Sequence, residues 1–340
     1  TGSPSLAECA EVRIADGCES VRAEASDNWQ VYAHDLRVAP SVLKSTFSSK
    51  TIIGIAGSGY EVTSWELADW ISYYNFGEKP SLYATKTPSL LIAVSGNGIV
   101  LAADPDEMIW RTIPNNLEQV LAPEVFSPGF YSVKGALYQD GRLLVTASTT
   151  DSTHDDDCFH TALLSAEFSE RALEFGVEWA PNDCAFPDKA DEFTAHQAGG
   201  AIVEVPGLGI LISQGDYRSR SKTQQPESDF GKIMALDADT EPLQHIAVGL
   251  RNAQGMAFDP SSRLLWIVDQ GPKGGDELNV MSLGKGGQTN FGWPISSYGE
   301  HYDERPRPDA PLNKSHSRFG FEEPAWWWSP SIGISSVSLA

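Results

Sequence analysis

The sequence predicts an all-β protein, and within that class a β-propeller, from two observations. Short apolar runs bounded by turn residues recur along the chain, whereas long segments with the 3.6-residue period of an amphipathic helix are nearly absent. The runs come in pairs, and the second members of the pairs are spaced by roughly 50 to 70 residues, as in four-stranded propeller blades with loop insertions. The alternative is a β-sandwich, whose turn signals would recur faster, or two small β domains.

Six apolar segments carry this strand pattern, and turn residues bound each of them. They are TIIGIAG at 51, SLLIAVSGNGIVLAAD at 89, GALYQDGRLLVTAS at 135, GAIVEVPGLGILISQGD at 200, GMAFDPSSRLLWIVDQG at 255 and IGISSVSL at 332. In the third to fifth, a turn built on DG, PG or DPSS separates two apolar runs. The best helix candidate is 63–74, and the polar segments 151–195 and 214–230 are interpreted as loops.

The chain is divided into two parts. Residues 1–27 show no periodicity and are interpreted as an N-terminal arm or leader, and residues 28–340 as the propeller domain. The chain stops at Ala340 inside an apolar run, which predicts an incomplete last blade. An open blade edge there would be able to pair with a second copy or a partner chain.

Composition excludes several classes of protein. The 340 residues include 24 Lys+Arg and 46 Asp+Glu, giving a net charge of −22, and 41% are hydrophobic. The apolar fraction is too high for a disordered chain. The acidity opposes binding to nucleic acid or to anionic lipid, and no apolar run approaches the roughly 18 residues of a membrane span.

The four cysteines indicate a compartment. Their spacing matches no CxxC pair and no zinc pattern, so two disulfides, Cys9–Cys18 and Cys158–Cys184, are the simplest interpretation. Four unrelated free thiols are the alternative. Disulfides predict a periplasmic or extracellular protein.

Two motifs place reactive side chains beside Gly-bounded turns. In FTAHQAGGAIV, His196 precedes a turn into a strand, where it is either a base or ligand or a structural histidine. In GLRNAQGMAF, Arg251 and Asn252 precede an apolar strand. A guanidinium beside an amide suits a carboxylate or carbonyl oxygen, and a salt bridge within the protein is the alternative for Arg251.

Two further motifs are rich in glycine. In DQGPKGGDELN, Gly271 and Pro272 interrupt the strand and expose backbone carbonyls, and Asp276 and Glu277 follow within one turn. Carbonyl and carboxylate oxygens together suit Ca²⁺, although the spacing of the acids is not that of an EF-hand. The motif GGQTNFGWP is interpreted as a packed corner or part of a binding rim.

In this order, the motifs resemble those of the soluble quinoprotein glucose dehydrogenases, also called glucose/sorbosone dehydrogenases, over roughly residues 85 to 340. HQAGG is similar to the family's HQSGR, GLRNAQGMAF to GHRNPQGLAF, DQGPKGGDELN to EQGPNSDDEIN, NFGWP to NYGWP, and GKIMALDADT to GKILRIDPDT. The family consists of six-bladed propellers that use pyrroloquinoline quinone (PQQ). The resemblance therefore implies a PQQ-dependent sugar dehydrogenase with a six-bladed fold.

The resemblance also implies roles for single residues. His196 would take the proton from the anomeric hydroxyl of an aldose, while hydride passes from the same carbon to C5 of the quinone and the sugar becomes its lactone. Asp216 would fix the tautomer of this histidine. Arg251 and Asn252 would stabilise the oxyanion at C5, and Gln270 would contact the cofactor.

The resemblance implies calcium as a second cofactor and an external electron acceptor as a partner. The carbonyls of Gly271 and Pro272 would bind Ca²⁺ together with the quinone. The chain departs from the family at Gly200, where an Arg is common, and it ends before the blades that supply further Lys and Arg residues to the quinone. A non-catalytic propeller that serves as a binding or surface-assembly module is the alternative function.

Overall fold

The computed structural model describes residues 34, 36–44, 46–55, 58–66, 81–121, 133–150, 158–185, 197–236, 244–283, 287–304 and 307–339. Its strands form four sheets of four or five strands, antiparallel except for one short parallel pair, and one separate hairpin. None of the described helices is long and apolar enough to span a membrane. The second disulfide candidate, Cys9–Cys18, lies outside the described residues.

The first sheet, blade 1, is formed mostly from the segment that begins near residue 82. Its strands are β1 (Val42–Lys44), β4 (Leu82–Lys86), β5 (Leu91–Ser95), β6 (Val100–Ala103) and β7 (Ile109–Ile113). Between β1 and β4 in the chain, β2 (Thr46–Ile55) and β3 (Ser58–Glu66) form the separate hairpin. The sheet order is β1-β7-β6-β5-β4, so β1 adds to the outer edge of a four-stranded meander. A single helical turn, α1 (Leu117–Val120), follows.

Blades 2, 3 and 4 repeat the meander. Their strands are β8 (Val133–Gln139), β9 (Arg142–Thr150), β10 (Phe159–Glu167) and β11 (Gly176–Trp179) in blade 2; β12 (Gly199–Val205), β13 (Gly209–Gln214), β14 (Lys232–Leu236), β15 (Gln244–Val248) and the short β19 (Thr289–Asn290) in blade 3; and β16 (Ala253–Asp259), β17 (Leu264–Asp269), β18 (Asp276–Ser282) and β20 (Trp326–Trp328) in blade 4. Two 3₁₀ turns, Arg220–Gln224 and Ser317–Phe319, lie in the loops.

The blades surround a common channel, which makes the fold a β-propeller. The first strand of each blade lies against the first strand of the next, and β4, β8, β12 and β16 line a cavity of about 370 Å³ together with residues 335–338. The second strands of the blades begin roughly 50 to 70 residues apart, as the sequence predicted. The propeller prediction is confirmed, with four blades in the described part of the chain.

The predicted turns are found where the sequence placed them. The DG turn joins Gln139 to Arg142 across β8 and β9, with both central residues, Asp140 and Gly141, at positive φ. Such a turn matches the right-handed twist of a two-stranded ribbon. In the DPSS turn, the Asp259 carboxylate accepts hydrogen bonds from Ser261 and Ser262, which stabilise the turn without a glycine.

Apolar residues pack between neighbouring blades, so inner strands are buried on both faces. One cluster joins blades 1 and 2, a second joins blades 2 and 3, and a third joins blades 3 and 4. This explains why strands such as β5 and β9 are nearly continuous apolar runs instead of alternating ones.

Three local predictions were wrong. The segment 151–195 contains β10 and β11, because FHTALLSAE mixes Thr, His and Ser with apolar residues that are buried on both faces. Residues 63–66 of the helix candidate belong to β3. The segment 332–339 forms no strand; it lies beside β16, where a Cβ at Gly255 would contact the backbone of Ser336 and Val337.

The disulfide Cys158–Cys184 is confirmed. Its two Cα atoms lie 5.4 Å apart, and both cysteines are buried. Beside it, the backbones of Phe159 and Ala185 exchange two hydrogen bonds. The disulfide therefore closes the residues after β11 onto the start of β10.

Tyr217 connects blades 2 and 3 through a buried hydroxyl. Its OH lies 2.6 Å from Ser148 Oγ and 2.8 Å from Thr161 Oγ1, and its ring packs edge-on against Phe230. Burial raises the pKa of this phenol. The hydroxyl therefore stays a neutral donor between the two blades.

We expect Tyr217→Phe to reduce the free energy of unfolding by about 1–3 kcal/mol, because two buried hydroxyls lose their shared partner. Tyr138→Phe is the matched control, since the Tyr138 hydroxyl has no hydrogen-bond partner in the described part of the chain and its ring contact with Phe168 is kept. Thermal unfolding followed by calorimetry would measure both. Equal melting temperatures for the two variants would contradict the connection.

Candidate active site

The predicted site motifs meet at one end of blades 3 and 4. The motifs lie at the start of β12, the end of β13, the start of β16 and the end of β17. Because the strands alternate in direction, these four points lie at the same edge of the two sheets. The antiparallel order thus explains why motifs distant in sequence come together.

Arg251 and Asn252 are oriented through their backbones by Asp269, at the end of β17. The N–H of Arg251 donates to Asp269 Oδ2 at 2.9 Å, and the N–H of Asn252 donates to Oδ1 at 2.6 Å. Burial, with the nearby Glu277 charge, raises the pKa of Asp269 to about 7. Sequence reasoning missed this residue, although its place directly before Gln270 was a usable signal.

The Arg251 guanidinium is buried, with 7% of the residue exposed. Its Nη1 donates to the carbonyls of Gln270 at 2.7 Å and Gly271 at 2.9 Å, and the group lies over the Trp293 ring at 5.6 Å from the centroid. Burial lowers the pKa of Arg251, and the charge of Asp216 opposes this shift. The expected cation is therefore present, but neutral carbonyls and one amide satisfy its hydrogen bonds.

Asp216 is fully buried beside this arginine. Its Oδ1 accepts from the N–H of Arg218 at 2.9 Å, and its Oδ2 accepts from Trp293 Nε1 at 2.8 Å. With the Gln197 amide oriented to satisfy its neighbours, Gln197 Nε2 donates to Asp216 Oδ1 at 2.5 Å and Gln197 Oε1 accepts from Arg251 Nη2 at 2.7 Å. Burial raises the pKa of Asp216, and Arg251 is the largest of the opposing effects.

Asn252 and Gln270 bind each other and the HQAGG turn. Asn252 Nδ2 donates to Gln270 Oε1 at 3.0 Å, and Asn252 Oδ1 accepts from the N–H of Gly199 at 3.0 Å. The facing strand end needs Gly215, because a Cβ there would overlap the Gln197 carbonyl of the turn. The two motifs therefore form one continuous hydrogen-bonded unit.

His196 lies in the segment 186–196, outside the described residues. Its immediate neighbour in sequence, Gln197, is described and contacts both Asp216 and Arg251. The general-base role of His196 stays a prediction.

The predicted calcium carbonyls lie at the same site. The Gly271 carbonyl accepts from Arg251, and the Pro272 carbonyl accepts from the N–H of Gly275 at 3.0 Å and from Ser331 Oγ at 3.2 Å. A carbonyl oxygen has two lone pairs, so the Gly271 oxygen keeps one for another ligand. Gly271 itself is required, because a Cβ there would overlap the Gly275 carbonyl.

The two predicted calcium carboxylates have other partners. Asp276 Oδ2 accepts from the N–H groups of Ile332, Gly333 and Ile334 at 2.7–3.1 Å, and its Oδ1 accepts from the N–H of Gly271 at 3.1 Å. Asp276 thus orders the 332–334 backbone, and this geometry does not present it to a cation.

Glu277 faces a buried histidine. Its Oε1 lies 3.2 Å from His316 Nε2, and a hydrogen bond from Asn279 reaches its Oε2 at 3.3 Å. The charge of Glu277 keeps the pKa of His316 above its usual value although burial acts in the opposite direction. Among the described residues, no group of three or more His, Cys, Asp or Glu side chains has the arrangement of a metal site.

A cavity of about 150 Å³ opens beside Arg251. Four arginines line it together with aromatic and imidazole rings, and Asp303 is the one acid among the described residues that line it. The arginines are Arg218, Arg220, Arg251 and Arg307. Only Arg251 was predicted, because the others lie in polar loops whose convergence depends on the tertiary fold. In a chain of net charge −22, this cavity is a local cationic site.

Lys232 stabilises the loop that carries Arg218 and Arg220. It is fully buried at the start of β14, and its Nζ donates to the carbonyls of Thr223 and Phe230, both at 2.8 Å. Burial lowers the pKa of Lys232 to about 8, and Asp229 is the largest of the opposing charges.

The propeller fold and the order of the motifs at this site are those of a known family. A profile of the family Glucose / Sorbosone dehydrogenase matches residues 138–340, and the chain belongs to this family.

Two relatives in sequence and one solved structure are similar to this chain. Over 160 residues the chain is 32% identical to "Aldose sugar dehydrogenase YliI" of Escherichia coli (43% of this chain, 41% of that protein), and over 76 residues it is 38% identical to "Quinoprotein glucose dehydrogenase B" of Acinetobacter calcoaceticus (19% and 15%). The match thus spans about two fifths of the Escherichia coli relative. The crystal structure of the soluble aldose sugar dehydrogenase of Escherichia coli has the same fold, with a TM-score of 0.57 and 21% identity over 76% of this chain and 74% of that one.

The buried Lys232 gives a prediction for pH dependence. Because its pKa is about 8 in the folded protein and about 10.5 when solvated, the unfolded chain binds more protons between these values. The stability contributed by this group therefore increases as pH rises from 8 to 10.5 and is lost as pH falls through 8. As pH rises across this window, we expect the wild type to become more stable relative to Lys232→Met by up to about 3 kcal/mol of unfolding free energy.

Denaturant unfolding at pH 7.5 and pH 10 would measure this shift. The exposed Lys50, which pairs with Glu61, provides the control variant Lys50→Met. A pH-independent difference between wild type and Lys232→Met would contradict the assignment of a buried titrating amine.

Proposed function

We propose that this protein is a PQQ-dependent dehydrogenase that oxidises an aldose at C1 to its lactone and passes the electrons to an external acceptor. The observation that carries the proposal is the four-arginine cavity beside the buried Arg251, in a member of the glucose/sorbosone dehydrogenase family. The name of the Acinetobacter relative, a quinoprotein, supports the choice of cofactor.

The residues of the cavity fit the quinone by charge. PQQ has three carboxylates, and an arginine presents a planar pair of donors that matches a carboxylate. Three arginines besides Arg251 line the cavity, so the cofactor does not depend on Arg251 alone. When bound, the quinone would supply the hydride-accepting carbonyl that no amino-acid side chain offers.

The chain's own residues would then move the proton. In this proposal the neutral imidazole of His196 accepts the proton of the C1 hydroxyl, and Asp216 stabilises the imidazolium that forms. Among the described residues, Asp216 Oδ2 accepts only the Trp293 indole N–H, which leaves a lone pair for the imidazole. Arg251 and Asn252 would place positive charge and an amide donor beside the reacting carbonyl.

Calcium fits this site only together with the quinone. The Gly271 carbonyl keeps one lone pair for a cation, whereas the Pro272 carbonyl already accepts from Gly275 and Ser331. Asp276 and Glu277 bind backbone N–H groups and His316. Two neutral carbonyls are a weak ligand set for a hard dication that takes six to eight oxygens. The remaining ligands would come from the cofactor and water.

We also propose the larger context of this site. Residues 28–340 would belong to a six-bladed propeller and residues 1–27 to an N-terminal arm, as the family resemblance implies. The disulfide Cys158–Cys184 supports a periplasmic or extracellular location, because disulfides persist in oxidising compartments.

Titration of the purified protein with PQQ and Ca²⁺, followed by an aldose, tests the proposed function. Saturable binding seen in the cofactor's absorbance, and bleaching on addition of the sugar, are expected. Binding without bleaching by any of a panel of aldoses would contradict catalysis and favour a binding module.

We expect His196→Ala to reduce turnover by about 10²- to 10⁴-fold, because a positioned general base contributes this much. The affinity for PQQ should change little. His245→Ala is the matched control, since His245 pairs with Asp229 at 2.7 Å on β15 and does not line the cavity. Unchanged steady-state turnover in His196→Ala would contradict the assignment of the base.

We expect Ca²⁺ and PQQ to bind cooperatively. Calorimetry should detect little Ca²⁺ binding without PQQ, and Ca²⁺ should tighten PQQ binding about tenfold or more, with the reciprocal effect required by linkage. Chelation by EDTA should weaken PQQ binding, and Mg²⁺, which prefers an octahedral shell with several waters, should not replace Ca²⁺. Tight Ca²⁺ binding by the quinone-free chain would contradict this ligand set.

A further inference from the structure

The four arginines of the cavity differ in how their charges are balanced. Arg307 forms a bidentate pair with Asp303, at 3.0 and 3.2 Å. Arg251 donates to the carbonyls of Gln270 and Gly271 and lies near the Asp216 carboxylate. These two guanidiniums therefore have partners within the protein.

Arg220 has no such hydrogen-bonded partner, although the Asp216 carboxylate near Arg251 also attracts its charge. Its guanidinium makes no hydrogen bond or ion pair with any described residue, and its Nε is buried without an acceptor. A buried donor without a partner is unfavourable, and more so when it is charged. Arg220 also lies close enough to Arg251 for the two charges to repel. An anion between them would supply the missing acceptor and relieve the repulsion.

The backbone around Arg220 is fixed from several sides. The preceding residues Tyr217 and Arg218 have positive φ values of 44° and 61°, which non-glycine residues adopt only where their surroundings enforce them. In the 3₁₀ turn that Arg220 begins, Thr223 Oγ1 and Gln224 Nε2 both donate to the Trp293 carbonyl, at 2.9 and 2.8 Å. The guanidinium thus faces the cavity from a preorganised loop.

We infer that Arg220 is a carboxylate-binding residue for the cofactor, so that the loop between β13 and β14 supplies part of the anion clamp. The inference rests on the proposed function for the identity of the ligand. Independently of which ligand is bound, the inference states that the cavity binds a polycarboxylate through Arg220. The ligand carboxylate would accept from Arg220 on one side, with Arg251 nearby on the other.

Binding of PQQ to the Ca²⁺-loaded full chain, followed by absorbance and by quenching of tryptophan fluorescence, tests this inference. We expect Arg220→Gln to raise the Kd for PQQ about tenfold or more, because it removes one charge-assisted hydrogen-bond pair. Arg220→Lys keeps the charge without the planar pair of donors, so its Kd for PQQ should lie between those of the wild type and Arg220→Gln. Arg171→Gln, at an exposed arginine between β10 and β11, is the matched control and should bind like the wild type.

A second probe separates this inference from the proposed function. Tricarballylate, a tricarboxylate without redox chemistry, should raise the melting temperature of the wild type and of Arg171→Gln but not that of Arg220→Gln. If the wild type shows this anion dependence but PQQ gives no sugar oxidation, the carboxylate site stands and the proposed function fails. If PQQ supports sugar oxidation and binds equally to wild type and Arg220→Gln, the function stands and the role of Arg220 is overturned.

Circular dichroism of each variant would confirm that it folds. Should Arg220→Gln misfold, two results would still overturn the inference. One is an unchanged Kd for PQQ in Arg220→Lys, and the other is the absence of tricarballylate binding by the wild type.

Discussion

The hydrogen bonds from the Arg251 and Asn252 backbones to Asp269 are the interaction on which the site depends. They fix the turn between blades 3 and 4, so that one side chain reaches the Gln270 and Gly271 carbonyls and the other reaches the N–H of Gly199. In the same turn, the Arg251 carbonyl accepts a hydrogen bond from the backbone N–H of Asp216 at 2.8 Å. A single buried carboxylate thus sets the relative positions of three motifs, and its raised pKa reflects what that burial costs.

The distribution of charge around this turn explains how a strongly acidic chain can form a cationic cavity. The net charge of −22 produces a long-range field that repels anions, and salt screens this field beyond roughly 8–10 Å. At contact distance the four arginines dominate, since Asp303 is the one acid among the described residues that line the cavity with them. Salt should therefore assist the approach of an anionic ligand more than it weakens the final contacts.

The sequence allowed the blade repeat, the DG turn and the Cys158–Cys184 disulfide to be predicted, because local spacing encodes each of them. It also predicted that Arg251, Asn252, Gln270 and Asp216 lie together, although through family resemblance instead of geometry. It did not reveal Arg220 or Arg307, whose loops have no periodicity and converge only in three dimensions. Asp276 was predicted as a calcium ligand from its place shortly after Gly-Pro, and nothing in the sequence indicated that its carboxylate accepts from the backbone N–H groups of the distant segment 332–334.

The loop that carries Arg220 illustrates why rigidity matters for a charged site. Tyr217 connects it to blade 2, Thr223 and Gln224 to Trp293, and Lys232 fills its interior with an ammonium group. Lys222 adds an ion pair to Asp183 and a hydrogen bond to the carbonyl of Cys184, beside the disulfide. Ordering a long arginine side chain on a mobile loop would cost conformational entropy at the moment of binding. Here folding has already met most of that cost, so the interaction of an anion with the guanidinium contributes more of its free energy to affinity.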